Sequence, residues 1–575
     1  MRGENTMDFD DRIFGDLERK EFLIEREAQE LSHIILEEII PEDPTPMDEI
    51  TLSFLLPPLS EDYIYLYYNT DNTEPDLSSQ KITLVKDKIY WKDSIFNFAV
   101  KVKAKIPLQK EEKIIKIKLG GEDKISNELY SFSIDYFSPP KWVDTSVIYH
   151  IFVDRFAKDA YEVPWSDNLK MKLGGNLKGI TKHLDYIESL ETDVIWLSPI
   201  FKAASYHGYD IEDYYDIDSA WGSKEDLKEL VNKAFNRGIR IILDFVPNHL
   251  SSNHPIFQNA IQNQNSLYRN WFIFDENGKY ETFCGVKTMP KINLKNKEAM
   301  DHIINAALYW IREFGISGYR LDHATGPDFN FWTEYYFRLK NKFPDTFHLG
   351  EIVDTPLQVK KYAGKLDGTL DFFLFKIMRE FFIGKKWLPA EFQKIIGLKQ
   401  RFYNKNFKTV SFLENHDSNR FLWVAKDKKL LKIAAIFQFT HNDIPVIYNG
   451  EEMGANQYRD ILEGTHTLHE FTRLPIPWKE ENQDLELINF FKKLVSIRKA
   501  QPSLYGGDYI PIFSEILSYY KVFGNEKILV LINTTDKNKN YKLDGIFKDL
   551  ITEKIYEYEI LLPPMEGYIL LQVDR

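Results

Sequence analysis

IRIILDFVPNH, residues 239–249, is the stretch that decides the fold. It starts as an apolar run suited to a strand buried on both faces, and it ends on Asp244, Asn248 and His249, polar groups with no natural place in a core. Runs of the same kind recur on either side: VIYHIFV (147–153), DVIWLSP (193–199), GYRLD (318–322), FHLGEI (347–352), a weak run near Leu370, TVSFLEN (409–415) and IPVIYNG (444–450). Longer amphipathic stretches separate them, the last being LELINFFKKLVSIRKA (485–500). Short apolar runs alternating with helical stretches make a parallel βαβ series, and eight of them predict a closed (β/α)8 TIM barrel over 141–500, of α/β class. Catalytic groups of such barrels sit at the C-terminal ends of the strands. Those ends carry Asp154, His249, Asp322, Glu351, His416, Asp417 and Glu451.

Outside this core the texture changes. Residues 250 to about 295 are rich in Asn and aromatics and too long for an ordinary barrel loop, so a small insertion domain after the third strand is expected to wall one side of a cleft. Upstream of SPPKW (138–142), a hinge by its prolines, residues 47–137 read as short alternating runs such as TLSFLL and KIIKIKL, which predict an N-terminal β-sandwich. Residues 506–575 return to alternating texture and predict a C-terminal β-sandwich. The first 49 residues hold 16 Asp or Glu against 5 Lys or Arg, and Ile24, Ala28, Leu31, Ile35 and Ile39 recur at helical spacing. That spacing predicts an acidic amphipathic helical extension over 1–46, with its apolar stripe buried either on its own chain or in a dimer contact.

Composition bounds the function. At 43% hydrophobic and 15% aromatic over 575 residues, a large core can form. A net charge of −14 argues against nucleic acid as partner, since phosphate recognition needs clustered Lys and Arg. Cys284 is the only cysteine, so no intramolecular disulfide forms, and no run of about 18 apolar residues suggests a membrane span. A cytoplasmic protein is expected.

Asp322, Glu351 and Asp417 lie at the ends of three different expected strands. Glycosidic cleavage uses two carboxyls, one attacking the anomeric carbon or activating water and one protonating the leaving oxygen. Arg320 precedes Asp322 by two residues, so on a strand both side chains share a face and the guanidinium can keep Asp322 ionised. Glu351, to act as an acid near neutral pH, needs burial or a neighbouring carboxylate such as Asp417.

The region from about 145 to 500 resembles the α-amylase family, glycoside hydrolase family 13. DFVPNH (244–249), GYRLDHA (318–324), LGEI (349–352) and FLENHD (412–417) are similar to its four motifs, in order. VIYHIFVDRF (147–156), YHGYD (206–210), MPKIN (289–293) and RLPIPW (473–478) look most like the neopullulanase, cyclomaltodextrinase and maltogenic amylase branch. The resemblance implies that Asp322 forms a covalent glycosyl intermediate, Glu351 protonates the departing sugar and Asp417 binds hydroxyls of the sugar being cleaved. It further implies that Tyr209 stacks on that sugar, that His207, His249 and His416 bond its hydroxyls, and that Arg473 completes the clamp, with Asp244 and Asn248 in support. The implied activity is hydrolysis of α-1,4, and in some relatives α-1,6, bonds of an α-glucan: maltooligosaccharides, cyclodextrins, pullulan or starch. A transglycosylase on the same scaffold and a non-catalytic glucan-binding relative are the alternatives. A homodimer through the N-terminal domain is also in keeping with the branch.

Two departures from the family stand out. After Asp322 comes HATG, so that Thr325 and Gly326 remove side chains expected against the leaving-group sugar. After DRF comes AKDAYEV, with Lys158 where calcium-binding members carry more Asn and Asp. A hard cation wants six to eight oxygen ligands, so neither a required cofactor nor structural calcium is expected.

Overall fold

The computed structural model describes residues 34–60, 62–92, 97–159, 161–463 and 467–573. Eight parallel strands close into a barrel in sequence order: Ile148–Ile151, Val194–Leu197, Arg240–Phe245, Gly318–Leu321, Phe347–Gly350, Gly368–Leu370, Lys408–Ser411 and Ile444–Tyr448, the last pairing with the first. Their sequences are mostly apolar because both faces are buried. Val194 and Trp196 join Ile148, Ile242, Leu349, Val410 and Val446 in one cluster, while Ile195 and Leu197 between them join the cluster that includes the surrounding helices.

The fourth strand is set unusually close to the fifth. Gly318 opens it at φ +137°, and a Cβ there would lie 1.9 Å from the Phe347 carbonyl oxygen, so only glycine permits this approach. The register pairs Arg320 with Leu349 and Leu321 with Gly350, which puts Asp322 and Glu351 side by side just past the strand ends. After the loop that follows Asp322, Asp328 caps the helix Phe329–Lys342 by accepting from the Phe331 amide at 3.0 Å. The N-terminal domain docks on that helix: Asn330 Nδ2 donates to the Leu129 carbonyl at 2.7 Å, and Lys116 pairs with Glu334 at 3.2 Å.

Two four-stranded antiparallel sheets form the N-terminal domain around Leu52, Phe54, Leu66, Val102, Ile115, Ile117 and Phe132. Here the helical expectation is corrected. Residues 1–33 lie outside the described residues, but Ile35–Ile40 is an edge strand paired antiparallel with Ile50–Leu56, so the sandwich begins before residue 47. A bulge between Leu36 and Glu38 sets Leu36 opposite Phe54 and Ile39 opposite Leu52, so a step of three, which also suits one face of a helix, puts both on the core side. β-Branched Ile34, Ile35, Ile39 and Ile40 favour the strand, and Leu36 and Ile39 pack against the sandwich core.

The C-terminal domain is one continuous antiparallel sheet of six strands between Asp508 and Val573. Tyr519, Val530, Ile532 and Ile569 join the core of the barrel and its helices, while Leu529, Leu531 and Leu570 form a second core with Phe547, Ile560 and Leu562. Among the described residues no helix is long and apolar enough to cross a membrane.

Candidate active site

At the C-terminal end of the barrel a single guanidinium organises three carboxyls. Arg320, 1% exposed, directs Nη1 to Asp244 Oδ1 at 2.8 Å and to Asp322 Oδ1 at 3.0 Å, and Nη2 to Glu351 Oε1 at 2.6 Å. The planar fork of arginine suits this arrangement, since one side chain meets several carboxylates in fixed directions. Asp244 turns Arg320 into place and is itself held by Trp196 Nε1 at 3.2 Å and the Tyr209 hydroxyl at 3.0 Å. Its support role, read from the motif, understates it: without Asp244 the guanidinium has no anchor on the third strand.

Burial raises the carboxyls of Asp322 and Glu351 above their ordinary range against the downward pull of Arg320, and their mutual repulsion and that of Asp417 act in the same direction as burial. Burial likewise pushes Asp244 up to about 7, with Arg320 opposing. Three carboxyls facing one cation therefore hold their protons more tightly than isolated carboxyls do. Glu351 Oε2 also accepts from the His323 amide at 2.9 Å.

A second set of contacts surrounds Asp417, whose side chain, 29% exposed, is the most open of the three expected carboxyls. Arg473 Nη2 reaches its Oδ1 at 2.5 Å and His416 Nε2 its Oδ2 at 2.8 Å, while His469 Nδ1 stands 3.4 Å away. Burial acts upward, but His416 and Arg473 prevail and hold Asp417 well below the usual carboxylate range. Arg473 also donates to the His416 carbonyl at 2.8 Å and to the Tyr206 hydroxyl at 3.2 Å. The Tyr209 ring lies parallel to His416, with centroids 5.6 Å apart, and its hydroxyl is 2.7 Å from His416 Nε2. His207 Nδ1 accepts from the Tyr209 amide at 3.1 Å.

His249 completes the set. Its Nδ1 faces Asn248 Nδ2 at 3.3 Å, and its Nε2 is buried with no hydrogen-bond partner among the described residues. Burial draws His207 and His249 down to about 3 and His416 to about 4, so all three imidazoles are neutral in the working range.

All nine residues named from the sequence thus converge here: Asp322, Glu351, Asp417, Tyr209, His207, His249, Arg320, His416 and Arg473. Four contributors went unnamed: Trp196, Tyr206, His469 and Phe283. Phe283 comes from the insertion, whose ring stacks on His249 at 4.5 Å and meets His323 edge-on at 4.8 Å, so the insertion does wall the site. Gly326 does not leave the gap its sequence suggests. A Cβ there would lie 2.1 Å from Asn248 Oδ1, so the glycine makes room for the asparagine rather than for a sugar.

Comparison with known proteins places the chain in a family. A model of the alpha amylase catalytic domain matches residues 150–483. The chain is 58% identical over 572 residues to Alpha-amylase 2 of Dictyoglomus thermophilum, covering 99% of this chain and 100% of that one. It is 32% identical over 425 residues to a cyclomaltodextrinase of a Bacillus species, covering 70% of this chain and 74% of that one. Among solved structures, the cyclic alpha-maltosyl-(1→6)-maltose hydrolase of Arthrobacter globiformis in complex with that sugar superposes with a TM-score of 0.67 at 26% identity, covering 76% of this chain and 100% of that one. From barrel, site and relatives together, the chain belongs to the alpha-amylase family of glycoside hydrolases.

Proposed function

We propose that the protein is a retaining hydrolase of α-1,4-linked glucans, with cyclodextrins and maltooligosaccharides as substrates and α-1,6 bonds as a second target. The observation that carries this is the Arg320 bridge, which ties Asp322 and Glu351 to adjacent nitrogens of one guanidinium. Retaining glycosidases need their two carboxyls close, about 5–5.5 Å apart, whereas inverting ones leave room for a water between them. In this reading Asp322 attacks the anomeric carbon as Glu351 gives its proton to the departing glycosidic oxygen and the C–O bond breaks. Glu351 then takes a proton from water, which attacks the same carbon and frees Asp322.

Asp417, kept ionised by His416 and Arg473, is suited to bind hydroxyls of the sugar being cleaved, and the Tyr209 ring to lie against its apolar face. The neutral histidines offer hydrogen bonds without adding charge beside the nucleophile. A single cysteine supports a cytoplasmic setting, and turnover without a cation is part of the same reading.

Incubation with β-cyclodextrin, pullulan, soluble starch and maltotriose, followed by chromatography, tests the proposal. Maltose and glucose from the cyclodextrin support it. Products longer than the substrate would make the protein a transglycosylase, and no cleavage of any of the four would refute the reading.

A further inference from the structure

Residue 323, one place after Asp322, has a left-handed backbone with φ +43°. Side chains other than glycine adopt that conformation at a cost, and it persists only where neighbours hold it. Two consecutive amides at this turn address the same residue. His323 N–H donates to Glu351 Oε2 at 2.9 Å, and Ala324 N–H donates to the Glu351 carbonyl at 2.9 Å. The Gly326 amide closes the turn on the His323 carbonyl at 2.9 Å.

The half-buried imidazole has close neighbours of its own. It meets Phe283 edge-on, Phe283 stacks in turn on His249, and a Cβ at position 326 would approach His323 Cδ2 to 2.7 Å. Burial draws the imidazole down to about 4, so it is neutral at working pH and bears on Glu351 through the backbone rather than by charge.

Glu351 has two carboxyl oxygens, and a protein donor points at each. A proton carried on one of them displaces that donor. A protonated Glu351 can keep the 323 amide on Oε2 while its Oε1 leaves Arg320, and the amide then serves as the fixed point about which the carboxyl works. We propose that His323 is a positioning residue for Glu351, its wedged left-handed turn aiming the 323 amide at Oε2 so that the carboxyl stays oriented in both protonation states. This rests on the reading of Glu351 as general acid.

The test compares each variant of the full chain on two substrates: maltoheptaose, whose leaving group must be protonated, and α-maltosyl fluoride, whose leaving group needs no acid. Glu351→Gln, run alongside, is expected to fail on the first and to keep the first-turnover release of fluoride from the second. His323→Val, β-branched where φ is positive, is expected to lose at least about tenfold on maltoheptaose relative to the fluoride, a part of the about 10²- to 10⁴-fold that a general acid supplies. The basic limb of its pH profile should move up, because an amide that no longer donates to the carboxylate stops favouring the charged form. His323→Gly, at ease in the turn, should hold the ratio of the two rates within about threefold of wild type. His323→Ala is read by the same ratio, so the test survives if the valine variant does not fold. If Glu351→Gln loses both substrates alike, the acid assignment falls, and this proposal with it. If Glu351→Gln behaves as expected but the Val and Ala variants lose both substrates equally, or neither, the positioning role alone is overturned.

Discussion

Arg320 Nη2 meets Glu351 Oε1 at 2.6 Å, and the other terminal nitrogen of the same guanidinium holds Asp322 Oδ1 at 3.0 Å. In the proposed mechanism the cation beside the nucleophile is thereby also in contact with the acid. This joins two requirements that otherwise compete, since a cation beside both carboxyls lets one lose its proton while their repulsion leaves a proton for the other.

Arg320→Lys keeps the charge and loses the fork. A lysine ammonium is a point charge that cannot meet Asp244, Asp322 and Glu351 from two nitrogens. The expected result is a fall in kcat of about 100-fold or more, in the range for loss of preorganised electrostatics, with a smaller change in KM. Steady-state kinetics on maltoheptaose checks it, and a kcat within threefold of wild type contradicts it.

The site histidines predict a flat response to their own titration. With His249 drawn to about 3 and His416 to about 4 by burial, neither changes charge between about pH 5 and 8. His249→Gln should lower kcat/KM about tenfold, the worth of one lost hydrogen bond of about 1.4 kcal/mol, by a similar factor across that range. Both limbs of the profile should stay where they are. A wild-type limb near the ordinary histidine value that vanishes in the variant would contradict the assignment.

Turnover is expected to survive chelation. Among the described residues no group of three or more His, Cys, Asp or Glu is arranged to hold a metal ion. Rates after dialysis against EDTA should match those before it. A loss restored by added calcium would contradict the expectation.

Away from the site, Asp135 governs a stability trend. Burial pushes its carboxyl from 3.8 up to about 7, with the Ser133 hydroxyl and Phe137 amide acting the other way. A folded-state pKa above the unfolded one gives stability that is full below the unfolded value and is lost as pH rises to the folded value, here between about 3.8 and 7. Asp135→Asn keeps an acceptor for the Phe137 amide and removes the charge. Urea unfolding at pH 5 and pH 8 should therefore show less loss toward pH 8 in the variant, by about 1–3 kcal/mol. The same pH dependence in both proteins contradicts the account.

The barrel was legible because most of its strands are largely apolar on two buried faces, and the site because strand ends carry charged groups where a core has no use for them. VIWL (194–197) shows the first and Asp322 with Glu351 the second. Ile35–Ile40 reads as helix because the bulge between Leu36 and Glu38 breaks the alternation of two that marks a strand. Phe283 carried no signal, because an aromatic in an irregular insertion belongs to no periodic pattern and its stacking on His249 depends on chain reversals 34 residues later than that histidine. The tight approach of Asn248 to Gly326 was hidden for the same reason: a glycine announces missing volume and says nothing of what fills it.

In the proposed mechanism Asp322 is the nucleophile and Glu351 its acid and base. Glu351→Gln treated with α-maltosyl fluoride should form the glycosyl intermediate without needing an acid and hydrolyse it slowly for want of a base. Peptide mapping by mass spectrometry is then predicted to find one maltosyl group on the peptide that contains Asp322. A maltosyl group on any other peptide, or an unlabelled protein that releases maltose first as its β anomer, would contradict the account.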